Sequence, residues 1–283
     1  MIVIIGYIIV FGSVIGGFMM SGGKLGLLFH PNEILIIFGG AFGAFVASGT
    51  GYTLKLSLKN TIHAIVGKSP GKKEYLELLT VLYSLFSKMH REGVISIEKD
   101  IEAPEQSALF QRCPGIAKDK EACYFIGDTL RIYLTTGNAG ELDKLMGVDM
   151  ESMHEEEHLP AHNVERMADS LPGMGIVAAV MGVVLTMRKI NDGPEVLGES
   201  IGAALVGTFV GILLCYGLVG PISAKLANQA AERGLFFRAI REAVAAAVRG
   251  SSPIVAIEYG RRAIPLTYRP SFLEMEQKLK GGG

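Results

Sequence analysis

The 283-residue chain has no tryptophan, only three cysteines and only 19% charged residues. Each scarcity excludes something. Cys113, Cys123 and Cys215 form no C-x-x-C pair and are too few and too widely spaced for a disulfide framework, so neither a zinc site nor a stapled secreted domain is expected. They read as small apolar residues of a reduced, cytoplasm-facing protein. A net charge of -1 lacks the basic surplus that nucleic-acid binding needs. Low charge combined with 49% hydrophobic residues also excludes intrinsic disorder. No segment alternates apolar and polar residues as a half-buried strand does, which leaves an all-α chain.

The most informative absence is local. Four runs, Met1 to Met20, Ile34 to Leu54, Ser170 to Met187 and Ser200 to Ala224, contain no Asp, Glu, Lys, Arg or His. At about 1.5 Å per residue, roughly 18 to 25 helical residues cover about 27 to 37 Å, which matches a hydrocarbon core of about 30 Å. All four are expected to span a membrane. The first has no basic n-region and no A-x-A-type cleavage site, so it reads as a retained span rather than a signal peptide.

Four spans give a polytopic membrane protein with two helices in 1–54, a large helical domain in 55–169, two more helices in 170–224 and a helical tail in 225–283. Both termini then share a side with the long loop. That side carries 24 of the 27 Lys and Arg residues, which makes it cytoplasmic. Close to the span ends Lys55, Lys59, Arg166 and Lys225 agree, whereas Arg188 and Lys189 oppose them. Small residues recur four apart inside the spans: Gly12 with Gly16, Gly39 with Gly43 and Ala47, Gly175 with Ala179, Gly198 with Gly202, and Gly207 with Gly211. Such faces let helix backbones approach one another closely, which predicts packing between spans or between copies.

Outside the spans the apolar residues Tyr75, Leu78, Leu79, Leu82, Leu85, Phe86 and Met89 recur at helical spacing after Lys72, and Gly93 ends that helix. Helical patterns also cover Glu105 to Phe110, Ile116 to Leu134, Gly140 to His158 and Lys225 to Arg249. Pro253 and Pro270 read as helix starts.

Enzyme motifs find little support. His154-Glu155-Glu156-Glu157-His158 matches H-E-x-x-H with His162 four residues further on, but Pro160 is expected to interrupt the helix before His162. The run reads as a solvated helix end. Gly67-Lys68-Ser69 resembles the tail of a phosphate-binding loop, yet Ile62 stands where its first glycine is required. No catalytic residue, metal ligand or cofactor site is assigned. Charged side chains inside spans mark ion paths, and these spans have none. If the chain conducts ions, a partner must supply the titrating carboxylate, while this chain offers hydroxyls such as Thr186 and Thr208.

Three segments carry a resemblance: Ile4-Ile5-Gly6-Tyr7 through Gly16-Gly17, the run from Asp169-Ser170-Leu171-Pro172 to Met181-Gly182, and Leu205-Val206-Gly207-Thr208 to Leu213-Leu214. With the tail residues Ser252-Pro253, Glu258-Tyr259-Gly260-Arg261-Arg262 and Arg269-Pro270-Ser271-Phe272, they resemble the MotA family of flagellar stator subunits along essentially the whole chain. The resemblance implies a homopentamer in the bacterial inner membrane around two copies of MotB, which supplies the proton-accepting aspartate and a peptidoglycan anchor. It implies an ion path at Thr208 and Ala179 and functional prolines at Pro172 and Pro221, read from the residues alone as a helix N1 position and a helix kink. Sodium-driven relatives tend to carry threonine where Ala179 stands, and an alanine has no oxygen to coordinate sodium, so protons are expected. It also implies an interface with the rotor protein FliG at Glu98 and at His90, the position of the family's basic contact, with Arg91 beside it. The alternative is an energiser of the ExbB/TolQ type, which normally has three spans.

Overall fold

A computed structural model describes residues 2–66, 70–191 and 193–280, and every element among them is helical. Gly67-Lys68-Ser69 lie outside the described residues. Helix α1 (Ile2–Met20) leads through a short 3-10 turn at Leu25–Leu28 into α2 (Pro31–Ser48), which Pro31 opens at its first turn. After α3 (Gly51–Val66) comes α4 (Lys72–Glu92), begun by a Gly71 N–H bond to Glu74 Oε2 and ended by Gly93 at φ +88°. Short helices α5 (Glu98–Glu102), α6 (Ala108–Gln111) and α7 (Pro114–Ala117) precede α8 (Lys120–Thr136). Asp119 caps α8 by accepting the Ala122 N–H, and Gly137 closes it in the left-handed region at φ 62°. The long α9 (Ala139–Met187) is followed by α10 (Pro194–Leu214), a π-helical turn at Cys215–Val219, α11 (Gly220–Val248), α12 (Pro253–Ala263) and α13 (Phe272–Lys280).

Four stretches of helix are long and apolar enough to cross a membrane, and they lie in Val3–Met20, Leu25–Ser48, Ala139–Met187 and Pro194–Val248. All four expected spans are therefore present, with three changes of detail. The second ends at Ser48, because Gly49 takes an extended φ of -107° and ψ of 158° and restarts the chain as α3. Pro160 does not interrupt its helix, and Pro172 is not at a helix start: both lie inside α9. An internal proline removes a backbone hydrogen bond and costs about 3 kcal/mol. The burial of Ala161, Val164, Ala168 and Leu171 around these positions offsets it. Pro270 likewise stands before its helix rather than in it, since Ser271 caps α13 through a reciprocal pair, Glu274 N–H to Ser271 Oγ and Ser271 N–H to Glu274 Oε2.

The chain forms two compact units, Met1–Lys68 with Glu156–Gln229, and Ser69–Glu155 with Ala230–Gly283. Their boundaries fall inside α9 and α11, so residues 156–169, placed by sequence with the large helical domain, cluster with the spans. In the spanning unit Ile37, Ala41, Ala178 and Leu171 form a small buried cluster with Cys215 and Val219. In the other, the helical unit, α4 presents Leu78, Leu79, Leu82 and Leu85 to a core shared with Phe110, Ile126, Phe236, Ile240 and Ile257. All three cysteines are free and buried, as small apolar residues are. Burial pushes the Cys123 thiol up to about 11 and raises that of Cys113, so neither forms a thiolate near neutral pH.

Candidate functional site

The third and fourth spans meet along a seam built from their smallest residues. A Cβ on Gly211 would stand 2.7 Å from Leu171 O and 3.0 Å from Gly175 Cα. One on Gly175 would meet Gly207 O at 2.9 Å and Thr208 Cα at 3.4 Å, and one on Gly207 would meet Ala179 N at 3.4 Å. Gly182 continues the contact against Ala204. Only glycine lets α9 and α10 come this close, which is why the four-residue spacing matters. The seam places the backbones of Ala179 and Thr208 at its edge, the Ala179 N beside Gly207 and the Thr208 Cα beside Gly175.

Thr208 differs from the other intramembrane threonine. Thr186 Oγ1 donates to Gly182 O at 2.8 Å, the usual way a helix satisfies a hydroxyl in an apolar setting. Among the described residues the Thr208 hydroxyl makes no such bond, so it is available to water or to a partner. Pro172 sits one turn from Gly175 within α9. Pro221 follows the π-helical turn, in which the Gly220 N–H reaches back five residues to Cys215 O. The π turn widens the helix immediately before a residue that cannot donate, and Pro221 alone signalled it in the sequence. Two contacts that sequence reasoning missed hold this region: Tyr7 Oη donates to Leu218 O at 2.9 Å, fixing α1 against the π turn, and Ser223 Oγ donates to Ala161 O at 3.0 Å.

In the helical unit, His90, Arg91 and Glu98 lie exposed at one edge, on either side of the turn at Gly93. The turn is rigidly held. Ser96 Oγ donates to Gly93 O at 2.7 Å, Lys88 pairs with Asp100 at 2.7 Å, and Ile97 is fully buried beneath. The tail motif proves to be a clamp. Glu258 accepts from Arg261 and Arg262, Arg261 reaches Pro270 O at 2.9 Å, and Arg269 donates to Ile264 O and Arg262 O. Hydrogen bonds from Arg261, then from Arg262, hold the Glu258 carboxyl below its ordinary pKa. Gly260 is required because a Cβ there would lie 2.9 Å from Ala239 O, where α12 rests on α11.

His154, Glu155 and His158 of the H-E-x-x-H match lie on α9. Among the described residues no group of three or more His, Cys, Asp or Glu side chains is placed to hold a metal ion.

Comparison with known proteins agrees with this layout. The family described as Motility protein A N-terminal matches residues 4–93, and the MotA/TolQ/ExbB proton channel family matches residues 124–237. The chain is 36% identical over 281 residues to Motility protein A of Salmonella typhimurium, covering 99% of this chain and 95% of that protein. It is 34% identical over 277 residues to the chemotaxis protein LafT of Vibrio parahaemolyticus, covering 97% of each. Two solved structures share its fold: that of C. jejuni MotAB, at a TM-score of 0.79 and 20% identity over 95% of this chain and 98% of that one, and the flagellar MotAB stator complex from Bacillus subtilis, at 0.74 and 23% over 99% and 98%. The chain is thus a member of the Motility protein A family within the MotA/TolQ/ExbB proton channel family.

Proposed function

We propose that this chain is the stator subunit of a flagellar motor, which with MotB forms a proton-conducting channel and converts the proton gradient into torque on FliG. The observation that carries the reading is the seam: two runs without Asp, Glu, Lys, Arg or His, packed through glycine, beside which the Thr208 hydroxyl makes no hydrogen bond among the described residues. Such a channel wall is incomplete without a carboxylate from another chain. MotB supplies it as an aspartate on its own membrane helix. This chain forms a pentamer around two MotB copies in the inner membrane, with both termini and the helical unit in the cytoplasm.

Protons move down their gradient to that aspartate beside Thr208. Neutralising it changes which subunit of the ring faces MotB, and the ring steps. In this reading Pro172 in α9 and Pro221 in α11 are the points at which those helices respond to the change. At about 2.3 kcal/mol per charge per 100 mV, one proton supplies roughly 3 to 4 kcal/mol at ordinary bacterial potentials. An exposed ion pair is worth about 0.2 to 1 kcal/mol, so contacts of His90, Arg91 and Glu98 with FliG can be made and broken at every step. An energiser of the ExbB/TolQ type shares the channel logic, but the fourth span and the match over residues 4–93 favour motility.

Deletion of the chain tests the reading. Cells are expected to keep flagellar filaments and lose rotation; normal swimming, or loss of the filaments, would overturn it.

A further inference from the structure

Past the Gly211 contact, α9 and the segment beginning at the π turn enclose a cleft of about 240 Å³ within the spanning unit. One wall carries His158, His162, Glu165 and Asp169; the other carries Cys215, Tyr216 and Ser223. The first wall is a single stripe of α9, with residues spaced four, three and four apart. The same steps continue through Pro172 and Ile176 to Ala179. On the opposite wall, steps of four and three lead from Thr208 to Cys215. The cleft therefore lies on the helix stripes that carry Ala179 and Thr208, one position round from the seam residues Leu171, Gly175, Ala178 and Gly182, at the end where the ionisable residues begin.

Its chemistry changes abruptly from that of the seam. Between Ser170 and Met187 there is no basic atom on any side chain. In the cleft, two imidazoles and two carboxylates stand within one stripe, and His162 Nδ1 lies 3.5 Å from Glu165 Oε2. The side chains of His162 and Glu165 are 69% and 60% exposed, so water reaches both. The opposite wall adds no carboxylate or amine, and Ser223 is committed to Ala161 O. Imidazoles and carboxylates both take up and release protons, so a proton that leaves the spans can be passed to water here.

We propose that this cleft is a proton-release relay: His158, His162, Glu165 and Asp169 take up the proton that leaves the spans and pass it to bulk water. The inference rests on the proton-driven reading given above. In the step, the O–H bond of the partner's carboxylic acid breaks, and an N–H or O–H bond forms on a cleft imidazole or carboxylate. That bond then breaks to water. The cleft group returns to its starting state, and no electron is transferred. Because the four groups share one open cleft, each substitutes in part for the others.

The test uses motile cells carrying the whole complex, with rotation speed read at low load. The single variants His162→Gln, Glu165→Gln and Asp169→Asn are expected to lose less than about half the speed, and the combined variant with His158→Gln about threefold or more. A permeant buffer, imidazole, is expected to restore at least about half of the lost speed, because it carries the proton the cleft no longer takes. Unchanged speed in the combined variant overturns the relay, as does a loss that imidazole does not restore. If the combined variant fails to accumulate in the membrane, the triple variant of the exposed residues His162, Glu165 and Asp169 answers the same question by the same rescue. Should deletion of the chain leave rotation intact, the stator reading itself fails; should deletion stop rotation while these variants rotate normally, only the relay fails.

Discussion

The two units of this protein use apolar side chains in opposite ways. In the helical unit, Tyr75, Leu78, Leu82 and Phe236 are at most 1% exposed, and α4 closes its apolar stripe against α11 and α12. In the spanning unit, Ile8, Leu35 and Leu205 are 66%, 74% and 64% exposed, and the closest contacts between α9 and α10 are made by Gly and Ala. One unit is stabilised by taking large side chains out of water. The other leaves many of them exposed and brings the backbones of α9 and α10 together through Gly and Ala. The helical unit thus closes a large apolar core of its own, while the spanning unit leaves many of its large apolar side chains exposed.

The sharpest way to break that contrast is to thicken the seam. Gly211→Leu places carbon within 3.0 Å of two backbone atoms that cannot yield, and overpacking of this kind costs about 1 to 3 kcal/mol or more. We expect loss of the chain from the membrane fraction and loss of rotation, measured by immunoblot and tethered-cell assay. Gly12, by contrast, has nothing within 4 Å of its Cβ position, so Gly12→Leu tests the outward face. Normal membrane levels with failed assembly would identify that face as a contact between copies.

Truncating the closed core acts on the other side of the comparison. Leu82→Ala is expected to cost about 2 to 5 kcal/mol, read as a lowered melting temperature of the purified protein in detergent, with the spans still inserted. A smaller effect comes from acid. Hydrogen bonds from Lys72 and Ser271 depress the Glu274 carboxyl to about 2, and those from Arg261 and Arg262 depress Glu258. Both contributions are complete above the unfolded value near 4.5 and are lost as the pH falls through the folded one. Melting temperature should be level from neutral pH down to about 5 and should fall below about 4.5. Glu258→Gln should flatten part of that fall. The smallest structural effect belongs to Glu98→Lys. It is expected to stay within about 0.5 kcal/mol in stability and yet to reduce torque, since Glu98 is exposed at the edge. Unaffected torque would remove Glu98 from the rotor interface.

What the sequence made legible follows the same division. The four spans were readable because the cost of burying charge in lipid clears every ionisable residue from long runs, a signal that needs no knowledge of neighbours. The glycine seam was readable as spacing, but not as a specific pair of helices, because which glycines meet is settled only when α9 lies on α10. Gly12, Gly16 and Gly43 show the same pattern and touch nothing in the single chain. Pro160 stays inside α9 because the local preference of proline against helix interiors is outweighed by the packing of its neighbours Ala161 and Val164, which the sequence does not display. The cleft is hidden from the sequence for a different reason. Its stripe of His158, His162, Glu165 and Asp169 is visible at helical spacing, but its second wall comes from residues about 50 positions away, brought there by the fold. Glu258 and Arg261 were noticed as a family signature, and the structure gives them a mechanical role as a clamp on the tail.

The central claim is that spans without a charge of their own conduct protons with a partner's carboxylate and turn that flow into rotation. It is tested most directly by the speed of flagellar rotation in cells whose only stator contains this chain, measured while the proton and sodium gradients are varied separately. The account predicts that a protonophore stops rotation and that removing sodium leaves speed unchanged. Rotation that persists with the protonophore, or speed that follows sodium, would contradict it.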